Sequence, residues 1–131
     1  MPHKNIVWIN GCFDLLHRGH LELFHYAKSV GNWLRVGLDS DEMVREAKGI
    51  GRPLNTLEDR KFLVNSIGVV DEVCGFNSHN ELVELLKDYK PDIMIVGSDW
   101  KGKPIVGEVH SKEIKYFKRI GEYSTSKLID A

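Results

Sequence analysis

The sequence predicts an α/β fold: a three-layer sandwich built on a five-stranded, mainly parallel sheet. Short apolar runs rich in β-branched residues alternate with segments whose apolar residues recur at helical spacing. The connections between successive strands are too long for hairpins, which favours parallel pairing through crossovers. We expect the 131 residues to form one domain, 1–131, because a chain of this length can bury a sufficient core without disulfides.

The individual elements follow from apolar runs and from the residues that cap or stop them. The predicted strands are Ile6–Ile9, Trp33–Leu38, a strand within Val69–Phe76, Ile93–Val96 and Ile114–Phe117. The predicted helices are Arg18–Val30, a short helix from Ser40 through Ala47, one capped by Thr56, one opened by Ser78 and ending near Tyr89, and a last short one capped by Ser124. For the helix after Thr56, we predict an apolar face of Leu57, Phe62, Leu63 and Ile67.

Composition excludes several classes of protein. The formal net charge of −1 argues against a general nucleic-acid binder, which carries a basic excess. No apolar run approaches the ~18 residues that a membrane helix needs. Two cysteines make no disulfide framework and suit a reducing compartment, so we expect a cytoplasmic protein without membrane or nucleic-acid partners.

Parallel sheets bind ligands beyond the carboxyl ends of their strands, and the most informative motif lies there. The segment Gly11–His20 follows the first strand and opens the first helix. His17 and His20 share a face at this spacing, and Gly19 between them leaves room for close approach to the backbone. A helix N-terminus also favours an anion, so the pattern indicates a polyphosphate site. One alternative is that the two histidines are unrelated surface residues. The other is a metal site made by the two histidines with Cys12, but this set lacks the four ligands that tetrahedral zinc needs.

Three segments resemble a known family. Gly-Cys-Phe-Asp-Leu-Leu-His-Arg-Gly-His, residues 11–20, resembles the HxGH signature of the cytidylyltransferase-like nucleotidyltransferases. Residues 96–103 resemble the loop after the fourth strand in glycerol-3-phosphate cytidylyltransferases. Residues 119–127 resemble their closing Arg…Ser-Thr-Thr-Lys motif, with Ser126 in place of the second threonine. The resemblance covers essentially the whole chain and implies a Rossmann-like fold and a homodimer.

Two subfamilies compete within that resemblance. Gly51–Arg60, and Cys12 in the first motif, are similar to the adenylyltransferase domain that makes ADP-heptose. Asp99–Lys103 is instead similar to the glycerol enzymes. Pantetheine-phosphate adenylyltransferases fit less well, since they have a proline after the aspartate and a longer gap to the last histidine.

The resemblance implies a reaction and a set of roles. A phosphomonoester would attack the α-phosphorus of a nucleoside triphosphate, pyrophosphate would leave, and Mg²⁺ would accompany the triphosphate. The implied catalytic residues are His17, His20, Lys48 and Arg119. The implied nucleotide-binding residues are Gly11, Cys12, Phe13, Gly19, Gly97, Asp99, Trp100, Ser124 and Thr125. The implied acceptor-binding residues are Asp39, Asp41 and Arg60, and no residue is implied as a metal ligand.

Each of these side chains has a plainer interpretation. Lys48 could be an ordinary loop lysine, and Asp39 and Asp41 could be solvated residues of a helix's first turn. Arg60 could form a surface ion pair with a neighbouring acidic residue. Two positions keep two interpretations: Asp14 either braces its loop or contacts ligand, and Trp100 either stacks on a base or closes the pocket floor. Cys12 is not expected to act as a nucleophile. The remaining histidines have no convergent partners in the sequence: His3, His25, His79 and His110.

We therefore predict transfer of CMP from CTP to a small phosphorylated alcohol such as glycerol 3-phosphate. CTP is favoured because Asp99–Lys103 is expected to lie against the base, whereas Gly51–Arg60 is expected nearer the acceptor. The first alternative is an ATP-dependent adenylyltransferase acting on a sugar 1-phosphate such as heptose 1-phosphate. A non-catalytic nucleotide-binding module and a flavodoxin-like signalling domain are alternatives of other classes.

Overall fold

The computed structural model describes residues 4–118, in which five parallel strands alternate with four helices. The strands are β1 (Ile6–Gly11), β2 (Trp33–Asp39), β3 (Glu72–Phe76), β4 (Ile93–Gly97) and β5 (Glu113–Phe117). The helices are α1 (Arg18–Val30), α2 (Asp41–Lys48), α3 (Leu57–Asn65) and α4 (His79–Tyr89). These elements confirm the predicted α/β class; the helix expected after Ser124 lies outside the described residues.

The strand order is β3-β2-β1-β4-β5, and every neighbouring pair is parallel. The chain first builds outward from β1 through β2 to β3, and then returns to the other side of β1 with β4. β1 pairs with β2 along its whole length but with β4 only at Val7 and Trp8. Beyond Trp8 the sheet therefore opens between β1 and β4, at the switch in strand order where α/β folds bind ligands.

Alternate side chains of the strands build a core on each face of the sheet. Val7 and Ile9 of β1 belong to a cluster with Phe24 of α1. Trp8, between them in sequence, packs in a second cluster with Leu82 of α4. The sheet is thus covered on both faces, which confirms the three-layer arrangement.

The predicted apolar face of α3 is wrong at two of its four positions. Phe62 is 72% exposed and Leu63 is 43% exposed, whereas Leu57 and Ile67 pack against the core as predicted. The side chains of α3 that are fully buried are Arg60 and Val64, which follow Leu57 on the same stripe. Since each residue turns a helix by about 100°, Phe62 lies roughly 140° around the helix from Leu57 and faces solvent, whereas Leu63, three residues after Arg60, lies at the edge of the buried stripe and is partly covered.

No helix within residues 4–118 is long and apolar enough to cross a bilayer.

Candidate active site

A cleft of about 620 Å³ lies at the carboxyl ends of the strands. It gathers predicted site residues from the β1–α1 loop and from the ends of β2, α2 and β4. Those lining it are Gly11, Cys12, Phe13, His17, Gly19, His20, Asp39, Lys48, Gly97, Asp99 and Trp100. Asp41 and Arg60 are not part of the lining. Arg119, Ser124 and Thr125 lie outside the described residues. A second, more open hollow of about 580 Å³ lies beside β5 and is lined by Gly102 and Lys103. Of the stretch Asp99–Lys103 expected against the base, only Asp99 and Trp100 line the main cleft.

The two motif histidines form a reciprocal cap at the start of α1. His17 is the N-cap residue, and its Nδ1 accepts the backbone N–H of Gly19 at 3.0 Å. The Nδ1 of His20 in turn accepts the backbone N–H of His17 at 3.2 Å. The rings stack with centroids 3.8 Å apart and planes inclined by 22°, as their spacing predicts.

This hydrogen-bonding pattern assigns the tautomer of both rings. A neutral imidazole whose Nδ1 accepts a hydrogen bond carries its proton on Nε2. His17 and His20 therefore present two Nε2–H donors side by side at a helix N-terminus. Such a site is suited to the oxygens of a polyphosphate.

Phe13 supports His20 from behind. Its ring is edge-on to that of His20, with centroids 5.3 Å apart, and it also packs on Phe24 at 5.1 Å. Its backbone has a φ of 49°, a left-handed conformation that is uncommon for a residue other than glycine. This turn places the side chain of Phe13 against His20, where it restricts the orientation of that ring.

Asp14 braces the loop that follows Lys48. It is 1% exposed, and its carboxylate accepts the backbone N–H groups of Leu54 at 2.7 Å and Asn55 at 2.8 Å. The Asn55 side chain returns a hydrogen bond to the Asp14 carbonyl at 3.0 Å. Of the two interpretations that the sequence left open for Asp14, the described geometry supports bracing, because both carboxylate oxygens are used within the protein.

Arg60 joins three loops from the inside. It is fully buried, and its guanidinium donates to the backbone carbonyls of Asn55 at 3.0 Å, Cys12 at 2.9 Å and Asp39 at 2.8 Å. It also pairs with the Asp41 carboxylate at 2.7 Å. This arrangement is not the surface ion pair with a neighbouring acidic residue that the sequence allowed. Contact between Arg60 and an acceptor phosphate remains a prediction.

Lys48 and Asp39 contribute opposite charges to the cleft. Lys48 is the last residue of α2, and the chain leaves it through Gly49 and Gly51 with φ values of 99° and 91°. Both glycines adopt a backbone conformation that other residues reach only with strain. Burial raises the pKa of the Asp39 carboxyl, and the nearby charges of Arg60, His79 and Lys48 partly offset that rise.

Burial also raises the pKa of the Cys12 thiol, against the opposing effects of Arg60 and Lys48. The thiol is therefore neutral near pH 7, and a neutral thiol is a poor nucleophile. This agrees with the expectation that Cys12 does not act as one.

The far end of the cleft is built by the turn after β4. A Cβ atom at position 97 would lie 2.6 Å from Asp99 Oδ1, so a side chain there would displace the Asp99 carboxylate. Trp100 is 48% exposed and lines the cleft, as do the apolar side chains of Ile105 and Phe117. An aromatic face with apolar neighbours is suited to a nucleoside base.

The sequence reasoning missed His79. It is the first residue of α4 and lines the same cleft as the histidine pair. The sequence did contain a signal for it. His79 follows the carboxyl end of β3, and because the carboxyl ends of parallel strands meet at one edge of the sheet, a residue in that position is expected near the cleft.

Within residues 4–118, no group of three or more His, Cys, Asp or Glu side chains is arranged to hold a metal ion.

Comparison with known proteins gives consistent matches over nearly the whole chain. The family model described as cytidylyltransferase-like matches residues 8–130. "Bifunctional protein HldE" of Helicobacter hepaticus is 38% identical over all 131 residues, and that of Nitratiruptor sp. is 41% identical over 127 residues. Those alignments cover 100% and 97% of this chain but 27% of each relative, so the chain spans about a quarter of the length of these curated relatives.

Solved structures show the same fold. A lipopolysaccharide core biosynthesis protein from Thermoplasma volcanium is 25% identical, with a TM-score of 0.72 over 93% of this chain and 100% of that one. A pantothenate synthetase from Thermus thermophilus, 14% identical with a TM-score of 0.64, covers 93% of this chain and 58% of its own and supports the fold alone. The match to the family model and the relatives near 40% identity confirm the resemblance found in the motifs: this chain belongs to the cytidylyltransferase-like family and is a nucleotidyltransferase.

Proposed function

We propose that this chain transfers AMP from ATP to the phosphate of a small sugar 1-phosphate, such as heptose 1-phosphate, with release of pyrophosphate. One observation carries this choice of substrates: HldE proteins match 96–100% of the chain at 38–41% identity. The similarity of Gly51–Arg60 to the adenylyltransferase domain that makes ADP-heptose supports the same choice. ATP with a sugar 1-phosphate is therefore preferred to CTP with glycerol 3-phosphate, which is the reverse of the preference based on Asp99–Lys103.

His17 and His20 bind the triphosphate in this proposal. Their Nε2–H groups donate to phosphate oxygens, and the N-terminus of α1 adds its partial positive charge. Lys48 lines the same cleft from the end of α2 and offsets charge on the same phosphates. Arg119, Ser124 and Thr125 are the further phosphate ligands that the closing motif implies.

The chemical step needs no nucleophile from the protein. An oxygen of the acceptor phosphate attacks the α-phosphorus and forms a new phosphoanhydride bond. The bond between the α-phosphorus and the oxygen that bridges it to the β-phosphate breaks, and pyrophosphate leaves with the electron pair. Catalysis is then positioning of two phosphates together with stabilisation of the charge that develops on pyrophosphate.

The described residues do not provide a carboxylate set suited to Mg²⁺, which prefers several oxygen ligands. We therefore propose that Mg²⁺ is held mainly by the triphosphate and water, and that it offsets the phosphate charge when bound. A homodimer is part of the proposal on the resemblance alone.

CTP with glycerol 3-phosphate is the second candidate pair. Asp99–Lys103 favours it, because this stretch is similar to the glycerol enzymes and begins on the wall of the cleft next to Trp100.

A screen of pyrophosphate release tests both pairs. ATP, CTP, UTP and GTP are each combined with heptose 1-phosphate, other sugar 1-phosphates and glycerol 3-phosphate, with Mg²⁺ present. Turnover with ATP and a sugar 1-phosphate is the expected result. Calorimetric titration then compares the two nucleotides: CTP binding at least tenfold tighter than ATP, about 1.4 kcal/mol, would reverse the assignment.

A further inference from the structure

We propose that His79 is a specificity-determining residue for the acceptor, and that it acts with Asp39 to bind the hydroxyl groups of a sugar or polyol phosphate. The proposal rests on the nucleotidyl transfer proposed above and adds a side chain to the acceptor end of the same cleft.

Strand order divides the cleft into two ends. Trp100 and Phe117, which are suited to the nucleoside, follow β4 and end β5 on one side of β1. Asp39 ends β2 and His79 follows β3, on the other side of β1. The histidine pair at the end of β1 lies between them. A nucleotide that binds the first end and the histidine pair leaves the β2–β3 end for the acceptor.

The position of His79 beside Asp39 is fixed by backbone contacts. In the parallel register Asp39 is opposite Phe76, and the next residue, Ser40, donates its backbone N–H to the Phe76 carbonyl at 2.9 Å. The Ser40 hydroxyl also hydrogen-bonds Asn77 Oδ1 at 2.6 Å. The Ser78 hydroxyl then caps α4 at 3.1 Å from the backbone nitrogen of Glu81. The two loops are therefore joined, and α4 begins at the edge of the cleft.

The cap also shows that His79 is not needed to start the helix. Ser78 accepts a backbone N–H of the first turn, and the Glu81 carboxylate accepts the backbone N–H of Asn77. The His79 side chain is exposed and lines the cleft. Its imidazole can therefore bind a ligand without disturbing the fold.

The chemistry of the pair is suited to hydroxyl groups. An ionised carboxylate only accepts hydrogen bonds, whereas an imidazole offers a donor and an acceptor. Adjacent hydroxyls of a sugar can donate to Asp39 and exchange a hydrogen bond with His79. The acceptor phosphate itself is repelled by the Asp39 carboxylate and is better placed toward Lys48, which lines the cleft from the end of α2.

The test compares His79→Ala with His25→Ala, an exposed histidine of α1 that does not line the cleft. Pyrophosphate release is measured with the best acceptor of the screen, varying the acceptor and the nucleotide separately. For His79→Ala we expect the acceptor KM to rise about 3- to 10-fold, as for loss of one neutral hydrogen bond, with kcat and the nucleotide KM unchanged. His79→Gln, whose amide can both donate and accept, should restore most of the acceptor KM.

The outcomes separate the two proposals. No pyrophosphate release by the unchanged protein with any sugar or polyol phosphate refutes the proposed function. Turnover by the unchanged protein, together with an unaltered acceptor KM in His79→Ala, refutes only the assignment of His79. An equal rise in the nucleotide KM would also overturn that assignment.

Discussion

The substitution Arg60→Met tests whether one buried guanidinium holds the loops of the site together. Arg60 donates to the backbone carbonyls of Cys12, Asp39 and Asn55 and to the carboxylate of Asp41. Methionine keeps an unbranched side chain as far as about the position of Nε but donates no hydrogen bond. Three carbonyls then lose a donor inside the protein, and Asp41 loses its counter-charge.

The expected cost follows from the burial of each partner. A buried acceptor left without a partner costs about 1–3 kcal/mol. Asp41 is 40% exposed on its side chain, so water can solvate it and its share of the cost is small. Taking the low end of the range for each carbonyl, we expect a loss of about 3–4 kcal/mol in the free energy of unfolding. For a chain of this length, that corresponds to a drop of roughly 10–20 °C in Tm.

Chemical and thermal unfolding followed by circular dichroism measure this loss. Arg45→Met is the matched control, because Arg45 is exposed on α2 and its removal should change the unfolding free energy by less than about 0.5 kcal/mol. Where both variants are folded, only Arg60→Met should also show reduced turnover, since Cys12 and Asp39 line the cleft. A loss below about 1 kcal/mol for Arg60→Met would refute the reasoning.

Three further substitutions test the cleft itself. His20→Ala should lower turnover about 10²-fold or more and weaken nucleotide binding less, because the imidazole of His20 donates to charge that develops during the reaction. Steady-state kinetics measure turnover and calorimetry measures nucleotide binding; near-normal turnover in a folded variant would contradict the prediction. Lys48→Ala should lower turnover with less than about 0.5 kcal/mol change in unfolding free energy, so retained activity with a large loss of stability would show a structural role instead. Burial raises the pKa of the Asp39 carboxyl above its ordinary value of 3.8, so the folded protein binds a proton there more tightly than the unfolded chain does. Stability is therefore lost as the pH rises from the unfolded pKa through the folded pKa of this carboxyl. Asp39→Asn removes that loss, so its Tm relative to the unchanged protein should rise between pH 4 and pH 7 while the acceptor KM increases. A Tm difference that falls over this pH interval would contradict the sign.

The features that the sequence determined by itself are those fixed by neighbouring residues. Ser40, Thr56 and Ser78 cap α2, α3 and α4 as predicted, since a cap depends on a side chain and a backbone group two or three residues apart. The stacking of His17 on His20 has the same origin, because residues three apart on a helix lie on one face. Strand alternation with helices likewise predicted the parallel sheet and the edge of it that carries the cleft.

Tertiary structure decided what depends on residues far apart in the chain. Asp14 and Arg60 each contact loops about 20 to 50 residues away, and nothing in their local sequence distinguishes a buried brace from a solvated charge. The orientation of α3 is another such case: Phe62 and Leu63 are as apolar as Leu57 and Val64, yet they are exposed, whereas the charged Arg60 is buried among the loops that it contacts. His79 reached the cleft only because β3 lies beside β2, a pairing set by the packing of the whole sheet. The local sequence determines the chemistry of a side chain. Its burial and its partners depend on the distant backbone segments that the fold brings beside it.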